Sequence, residues 1–289
     1  MTSPNDTASQ PIFLGSEISQ AEPGSAAFHV LPVPYEKTVS YGGGTGLGPA
    51  AMLEASWQLE TWDGHSNPST GGIHTCPAVD CAAPAEQVME NIATATAAIV
   101  AAGAMPVVLG GEHTVTYGVI LGLQRAGLSD FGVVQIDAHA DLRDAYEGDP
   151  LSHASVMKRV VDLGVPLLQL GVRAFCEEEV ATRAEYGVHF IDADELVVNN
   201  ISRLQLPEGF PRRVFYTLDN DGMDPSVFPA TGTPVPGGLG RYQTLALFES
   251  DAAQREIIGF DSMEFAPIPG FHAYDSAASL LTYKMLGIV

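Results

Sequence analysis

Short apolar runs alternate with stretches of helical spacing along most of the chain. Ala27–Pro34, Met105–Leu109, Phe131–Val134, Pro166–Gly171, His189–Ile191, Arg213–Leu218 and Glu256–Phe260 have the length and flanking signals of buried strands. Between them, Ala50–Glu60, Pro84–Ala102, a segment from Ser152 through Arg159, one opening at Glu177-Glu178-Glu179, and Ala277–Leu286 read as helices, with Pro49 suited to a first helical turn. This alternation is that of a parallel α/β sheet. No Pro/Ser linker or low-complexity tract follows the first 25 or so residues, so the expectation is a polar leader (1–25) followed by a single domain (26–289).

The polar residues that break the pattern sit where the strands end. Asp137, His139 and Asp141 follow Phe131–Val134, and in extended backbone residues i, i+2 and i+4 face the same way. Asp219 and Asp221 follow Arg213–Leu218, His113 follows Met105–Leu109, and Asp261 and Glu264 follow Glu256–Phe260. Taken singly, an Asp or His there caps a turn or fills a core. In parallel α/β sheets, however, ligands gather outside the carboxyl ends of strands. Four carboxylates and two histidines are too many for one catalytic zinc and suit two hard divalent ions sharing bridging Asp groups, with Mn²⁺ the natural candidate. His153, at the entrance of its helix, lies on the same face if the loop before it folds back.

Composition narrows the classes. Hydrophobic content of 46% with 17% charged residues describes a well-buried globular protein, yet no apolar run approaches the ~20 residues that cross a bilayer. The segment Met1–Asp6 has neither a basic nor an apolar signal region, which predicts a soluble, cytoplasmic protein with no membrane partner. Thirteen Lys+Arg against 35 Asp+Glu, a net charge of −22, disfavours nucleic acid and favours a small cationic partner. Cys76, Cys81 and Cys176 are too few and odd in number for a disulfide framework, and His74, Cys76 and Cys81 lack the second ligand pair of a zinc module. The glycine cluster from Gly42 to Gly48 has no Gly-Lys-Ser/Thr ending and is read as a flexible loop, not a phosphate cradle.

The motifs G-G-E-H (Gly110 to His113), D-A-H-A-D (Asp137 to Asp141), S-H-A-S (Ser152 to Ser155), D-N-D-G-M-D-P (Asp219 to Pro225), T-G-T-P (Thr231 to Pro234) and G-F-D-x-x-E (Gly259 to Glu264) together resemble the ureohydrolases, the arginases and agmatinases, in that family's order from about Pro34 to the C-terminus. The resemblance implies a three-layer α/β/α fold with a mostly parallel eight-stranded sheet, of the arginase/deacetylase kind, assembled as a homotrimer or homohexamer. It implies two Mn²⁺ per chain, one held by His113, Asp137, Asp141 and Asp219, the other by Asp137, His139, Asp219 and Asp221. It further implies that Glu264 pairs with the substrate guanidinium, that Asp141 passes a proton from the attacking water to the leaving amine, and that His153 shuttles protons to solvent. Two departures stand out: Asn220 replaces a branched apolar residue, leaving an amide in need of partners, and Ala230 replaces a Gly.

Residues after the triplet, Asp141-Leu142-Arg143 and Tyr146-Glu147-Gly148, resemble agmatinases, which implies hydrolysis of agmatine to putrescine and urea. The alternative is a guanidino-acid hydrolase in which Arg143 clamps a carboxylate such as that of 4-guanidinobutyrate. A deacetylase-type zinc enzyme would show a His-His pair, which is absent from the sequence. A non-catalytic homologue would be expected to have lost ligands, and none of the candidate positions is lost.

Overall fold

Strands without a polar face must be covered on both sides, and a parallel sheet between two helical layers does this while pairing every backbone group. In the computed structural model, which describes residues 10–289, eight strands form one all-parallel sheet: β1 (Phe28–Val33), β2 (Ile73–Thr75), β3 (Met105–Gly110), β4 (Phe131–Ile136), β5 (Leu167–Leu170), β6 (His189–Ile191), β7 (Arg213–Asp219) and β8 (Glu256–Met263). Their spatial order is β2-β1-β3-β8-β7-β4-β5-β6. The helices are α1 (Gly48–Ala55), α2 (Ala85–Ala101), α3 (Val115–Arg125), α4 (Val156–Asp162), α5 (Glu177–Tyr186), α6 (Ala193–Leu196), α7 (Arg241–Ala252) and α8 (Ala273–Ile288).

Successive side chains of one strand enter opposite cores, as period-two geometry requires. Val107, Leu109, Val134, Ile136, Tyr216 and Leu218 pack with Met52, Phe248 and Leu281 from α1, α7 and α8. Val108, Val133 and Phe215 pack on the other face with Ile92, Val119 and Val160 from α2, α3 and α4. The expected three-layer α/β/α fold is therefore present, with the sheet parallel throughout. Among the described residues no helix is long and apolar enough to cross a membrane.

Four elements had no clear sequence signal, the four-residue α6 among them. β2 is three residues long with His74 at its centre, and it forms only by pairing with β1. α3 follows His113 at once, without a side-chain cap, and carries Gly118 and Gly122. Those glycines weaken a helix in isolation. Here they let α3 close on α2, since a Cβ on either would press into Ile92 or Thr96. α7 is weakly amphipathic and begins at Gly240 with no side-chain cap. The leader divides: residues 1–9 lie outside the described residues, whereas Phe13 and Leu14 are buried and their N–H groups donate to Thr75 Oγ1 and Ser56 Oγ, both at 2.9 Å.

β1 and β3 run side by side into the loops beneath the site. The N–H of Gly111 donates to Val33 O and that of Glu112 to Tyr35 O, both at 2.9 Å. A Cβ on Gly111 would overlap the backbone carbonyl of Tyr35, which cannot swing aside as a side chain could. Gly111→Ala is therefore expected to destabilise the fold by about 3 kcal/mol or more, the upper range for overpacking, read as a lowered urea midpoint; an unchanged midpoint would show that the two loops are not in backbone contact.

Candidate metal centre

The four central strands β3, β8, β7 and β4 are neighbours, so the loops at their carboxyl ends share one crevice. The chain passes from β3 to β4 over the two strands between them, and this brings His113, Glu264, Asp219 and Asp137 together from positions far apart in sequence.

Nδ1 of His113 lies 3.1 Å from Asp137 Oδ2, 3.1 Å from Asp141 Oδ2 and 3.2 Å from Asp219 Oδ2. Nδ1 of His139 lies 3.0 Å from Asp221 Oδ2 and 3.6 Å from Asp137 Oδ1. Two groups of potential ligand atoms result, His113 with Asp137 and Asp219, and His139 with Asp137 and Asp221, each spanning no more than 4.8 Å. Asp137 is common to both. Asp219, expected in both, falls in the first only.

The route to this convergence differs from the sequence expectation. β4 ends at Ile136, and the triplet is not extended: Asp137 Oδ1 accepts from the N–H of His139 at 2.6 Å, and Asp141 is left-handed at φ 53°. Likewise Asp219 Oδ1 accepts from the N–H of Asp221 at 2.8 Å, opening the turn Asn220–Gly222. Asx-type turns, not strand alternation, aim these carboxylates. Glu264 is also left-handed, at φ 58°. Non-glycine residues held there cost about 1 kcal/mol or more each, a cost typical of sites whose geometry serves function.

Electrostatics favour a cation at this point. His113, Asp137, Asp219 and Asp221 are all but inaccessible to water. Burial and then the Asp137 charge push the Asp141 carboxyl up to about 7, and burial together with Asp221 and Asp137 raises Asp219. Burial raises Asp137 too, but the flanking His113 and His139 imidazoles outweigh it and hold it well below the usual range. Burial disfavours a charged His139, yet Asp221 and Asp137 push it up to about 12. Protons and metal ions compete for these same atoms. His113 Nδ1, buried and without a hydrogen-bond partner among three carboxylate oxygens, is placed as a ligand atom. The donor set of imidazole nitrogen and carboxylate oxygen fits hard or borderline divalent ions.

A ring of polar residues orients the ligands, most of it not anticipated from sequence. His113 Nε2 meets Thr217 Oγ1 at 2.9 Å, Thr116 Oγ1 lies 3.3 Å from that oxygen, and Thr116 donates to Asp261 Oδ2 at 2.8 Å. Gln135 Nε2 donates to Asp137 Oδ2 at 2.7 Å; Gln169 donates to Gln135 Oε1 at 2.7 Å; Arg183 Nε donates to Gln169 Oε1 at 2.8 Å and pairs with Asp192 near the surface. Thr233, in the T-G-T-P motif, donates to Asp221 Oδ2 at 3.1 Å. The Arg173 guanidinium spends its donors on the carbonyls of Gly171, Asp221, Gly222, Met223 and Val235, pinning the Asp221 turn to the loop above it. Such partners fix the orientation and basicity of ligands. The amide nitrogen of buried Asn220 donates to Ser262 Oγ and Met263 O, at 3.0 and 2.7 Å, while its Oδ1 is left without a partner among the described residues.

Of the remaining expected residues, Glu264 lies inside the site, and His153 and Arg143 stand at its rim. Glu264 is buried behind His113, with Oε1 accepting from the His113 N–H at 2.7 Å and Oε2 without a donor among the described residues. His153 stands beside Thr38 and Ser40, edge-on to Tyr146 with ring centres 5.9 Å apart. Burial, then the nearby His139 and His113, push its imidazole down to about 4, so it is neutral near pH 7. Arg143 stacks on Tyr146 at 5.4 Å.

A parallel α/β/α protein with two adjoining imidazole–carboxylate cradles at the carboxyl ends of its central strands has the architecture of a metallohydrolase. The chain belongs to the Arginase family, whose profile matches residues 26–287, and so to the ureohydrolases. It is 40% identical over 297 residues to the N(1)-aminopropylagmatine ureohydrolase of Synechocystis sp., covering 99% of this chain and 97% of that one. It is 35% identical over 262 residues to the enzyme of the same name from Thermus thermophilus, covering 90% and 89%. The solved agmatine ureohydrolase of Thermoplasma volcanium superposes with a TM-score of 0.79 at 27% identity, over 94% of this chain and 96% of that one.

Because Asp137 belongs to both cradles, Asp137→Ala is expected to abolish binding of both ions, whereas His139→Ala should spare the one beside His113. Elemental analysis after Mn²⁺ loading, expected to give two ions per wild-type chain, checks this; one full-affinity ion retained by Asp137→Ala would show that the cradles are separate.

Proposed function

We propose that this protein is a ureohydrolase that uses two Mn²⁺ per chain to release urea from the guanidino end of a linear polyamine cation, with N(1)-aminopropylagmatine the preferred substrate and agmatine, expected from the sequence, its shorter analogue. The observation that carries this reading is the pair of buried cradles joined at Asp137. Similarity along nearly the whole chain to a relative with that substrate in its name supports the longer cation.

His113, Asp137, Asp141 and Asp219 would hold one ion, and His139, Asp221 and Asp137 the other. Bound there, the ions would supply Lewis acidity that makes a water nucleophile available near neutral pH. Glu264, with Oε2 lacking a donor among the described residues, faces the guanidinium and fixes its carbon by charge-assisted hydrogen bonds. Asp141 takes the proton of the attacking water and gives it to the leaving amine, and His153, half-exposed at the rim, exchanges protons with solvent. The C–N bond that breaks leaves urea and a free amine: putrescine from agmatine, spermidine from its aminopropyl derivative.

The rim suits a cationic tail. The loop after Asp141 exposes Asp144, Glu147 and Asp149, and its one cation, Arg143, is stacked on Tyr146. The α-carboxylate of arginine would meet that acidity unpaired, whereas each extra ammonium gains from it.

Urea release across these compounds tests the reading. Catalytic efficiency for N(1)-aminopropylagmatine is expected to exceed that for agmatine about fivefold, the ~1 kcal/mol of an exposed ammonium–carboxylate contact. Agmatine should exceed arginine by at least about tenfold, about 1.4 kcal/mol between transition states. A preference for 4-guanidinobutyrate that disappears in Arg143→Ala would replace this reading with the guanidino-acid one. Glu264→Gln should lose at least about tenfold in efficiency, as expected for a hydrogen bond to a charged group, while keeping both ions; an undiminished rate would remove Glu264 from substrate binding.

A further inference from the structure

Glu112, the acidic member of the G-G-E-H motif, is fully buried yet aimed away from the cradles. Its carboxylate is saturated by donors. Oε2 accepts from the N–H groups of Lys37 and Thr38, at 2.5 and 2.7 Å, and Oε1 from the hydroxyls of Thr38 and Thr114, at 2.7 and 2.8 Å. Four donors on two oxygens leave no lone pair for a proton of its own, so Glu112 acts as acceptor only.

This commitment passes to the next residue. A threonine hydroxyl has one proton, and that of Thr38 is given to Glu112, so Thr38 Oγ1 can only accept from its other neighbours. Those neighbours are both on His153: the backbone N–H at 3.0 Å and Nδ1 at 3.1 Å. Facing an oxygen with no proton to offer, Nδ1 must carry one itself. Ser152 Oγ also lies near Nδ1, but at 3.4 Å against 3.1 Å for Thr38; one of its lone pairs accepts from the Ala154 N–H and the other is open to an Nδ1 proton. Nε2 is left as the acceptor nitrogen, its lone pair facing only the Ser40 hydroxyl at 3.5 Å, a long contact at the exposed rim.

We infer that Glu112, acting through Thr38, locks His153 as its Nδ1–H tautomer, so that Nε2 is the atom through which His153 exchanges protons between the active site and solvent. Glu112 and Thr38 are positioning residues. Nε2 takes up one proton to give the imidazolium and releases that same proton at the next transfer, while the Nδ1 proton remains on its bond to Thr38. The catalytic part of this inference rests on the hydrolase reading; the tautomer does not.

The test is a nitrogen-15 NMR spectrum of the histidine side chains in the full chain, loaded with diamagnetic Zn²⁺ near neutral pH, with His153 assigned from its absence in His153→Asn. The expected result is an Nδ1–H, Nε2-bare imidazole for His153 in the wild type and in Thr38→Ser, and loss of that single state in Thr38→Val. An Nε2–H form in the wild type, or an Nδ1–H form that persists in Thr38→Val, would overturn the inference. Kinetically, Thr38→Val should lower kcat about tenfold at constant KM, part of the 10²–10⁴ range of general acid–base catalysis, and Thr38→Ser should restore it to within about twofold. In a His153→Asn background, Thr38→Val should cost nothing further; additive losses would contradict action through His153. If the wild type released urea from no guanidino compound, the proposed function would fail while the spectrum still decided the tautomer.

Discussion

Four aspartates converge on two imidazoles in a crevice that excludes most water, and such a cluster of like charges is tolerable only when protons or cations are shared among them. The remainder of the structure can be understood as the means of holding that repulsive arrangement in place. A carboxylate removed from water without a partner costs several kcal/mol, and several of them within a few ångströms of one another cannot all stay ionised. The fold accommodates them by placing them in pairs at the ends of two rigid neighbouring strands, β4 and β7, in turns braced from behind. The charges are thereby pre-organised and cannot relax apart.

The bracing is itself graded in depth. Nearest the cradles, Gln135, Thr217 and Thr233 each touch a cradle residue; behind them Gln169 bonds Gln135 and Thr116 bonds Thr217, while Arg173 holds the backbone of Asp221 directly. Gln135 and Gln169 sit opposite one another in register on β4 and β5. They carry a continuous polar line through the apolar sheet to Arg183 and Asp192. Networks of this kind stabilise only when every member is satisfied. Here the line connects the Arg183–Asp192 ion pair to an oxygen of Asp137 in the cradles, each step of it hydrogen-bonded.

Much of this was legible in the chain itself. Seven of the eight strands show as apolar runs, and every residue at the two cradles stands just past the end of one, so both the sheet and the location of the site follow from pattern. The local geometry was less accessible. Alternation in an extended strand and an Asx turn both bring Asp137 and His139 to one side, and only the positive φ of Asp141 and the break after Ile136 distinguish them. β2 and α3 depend on partners remote in sequence, which no local window contains. The supporting glutamines did leave a trace, since a Gln inside an otherwise apolar strand needs a buried partner, and two at matching distances from adjacent strand ends suggest one another. Thr38 left none: its importance arises from a loop meeting His153 more than 100 positions away.

The central claim is that one carboxylate joins two cation sites into a single centre. Anomalous X-ray scattering from crystals loaded with Mn²⁺ tests it most directly. Two peaks roughly 3.5–4 Å apart, one on each side of Asp137 and flanked by His113 and His139, are the result this account requires. A single fully occupied peak at saturating metal, or two peaks too far apart for Asp137 to touch both, would contradict it.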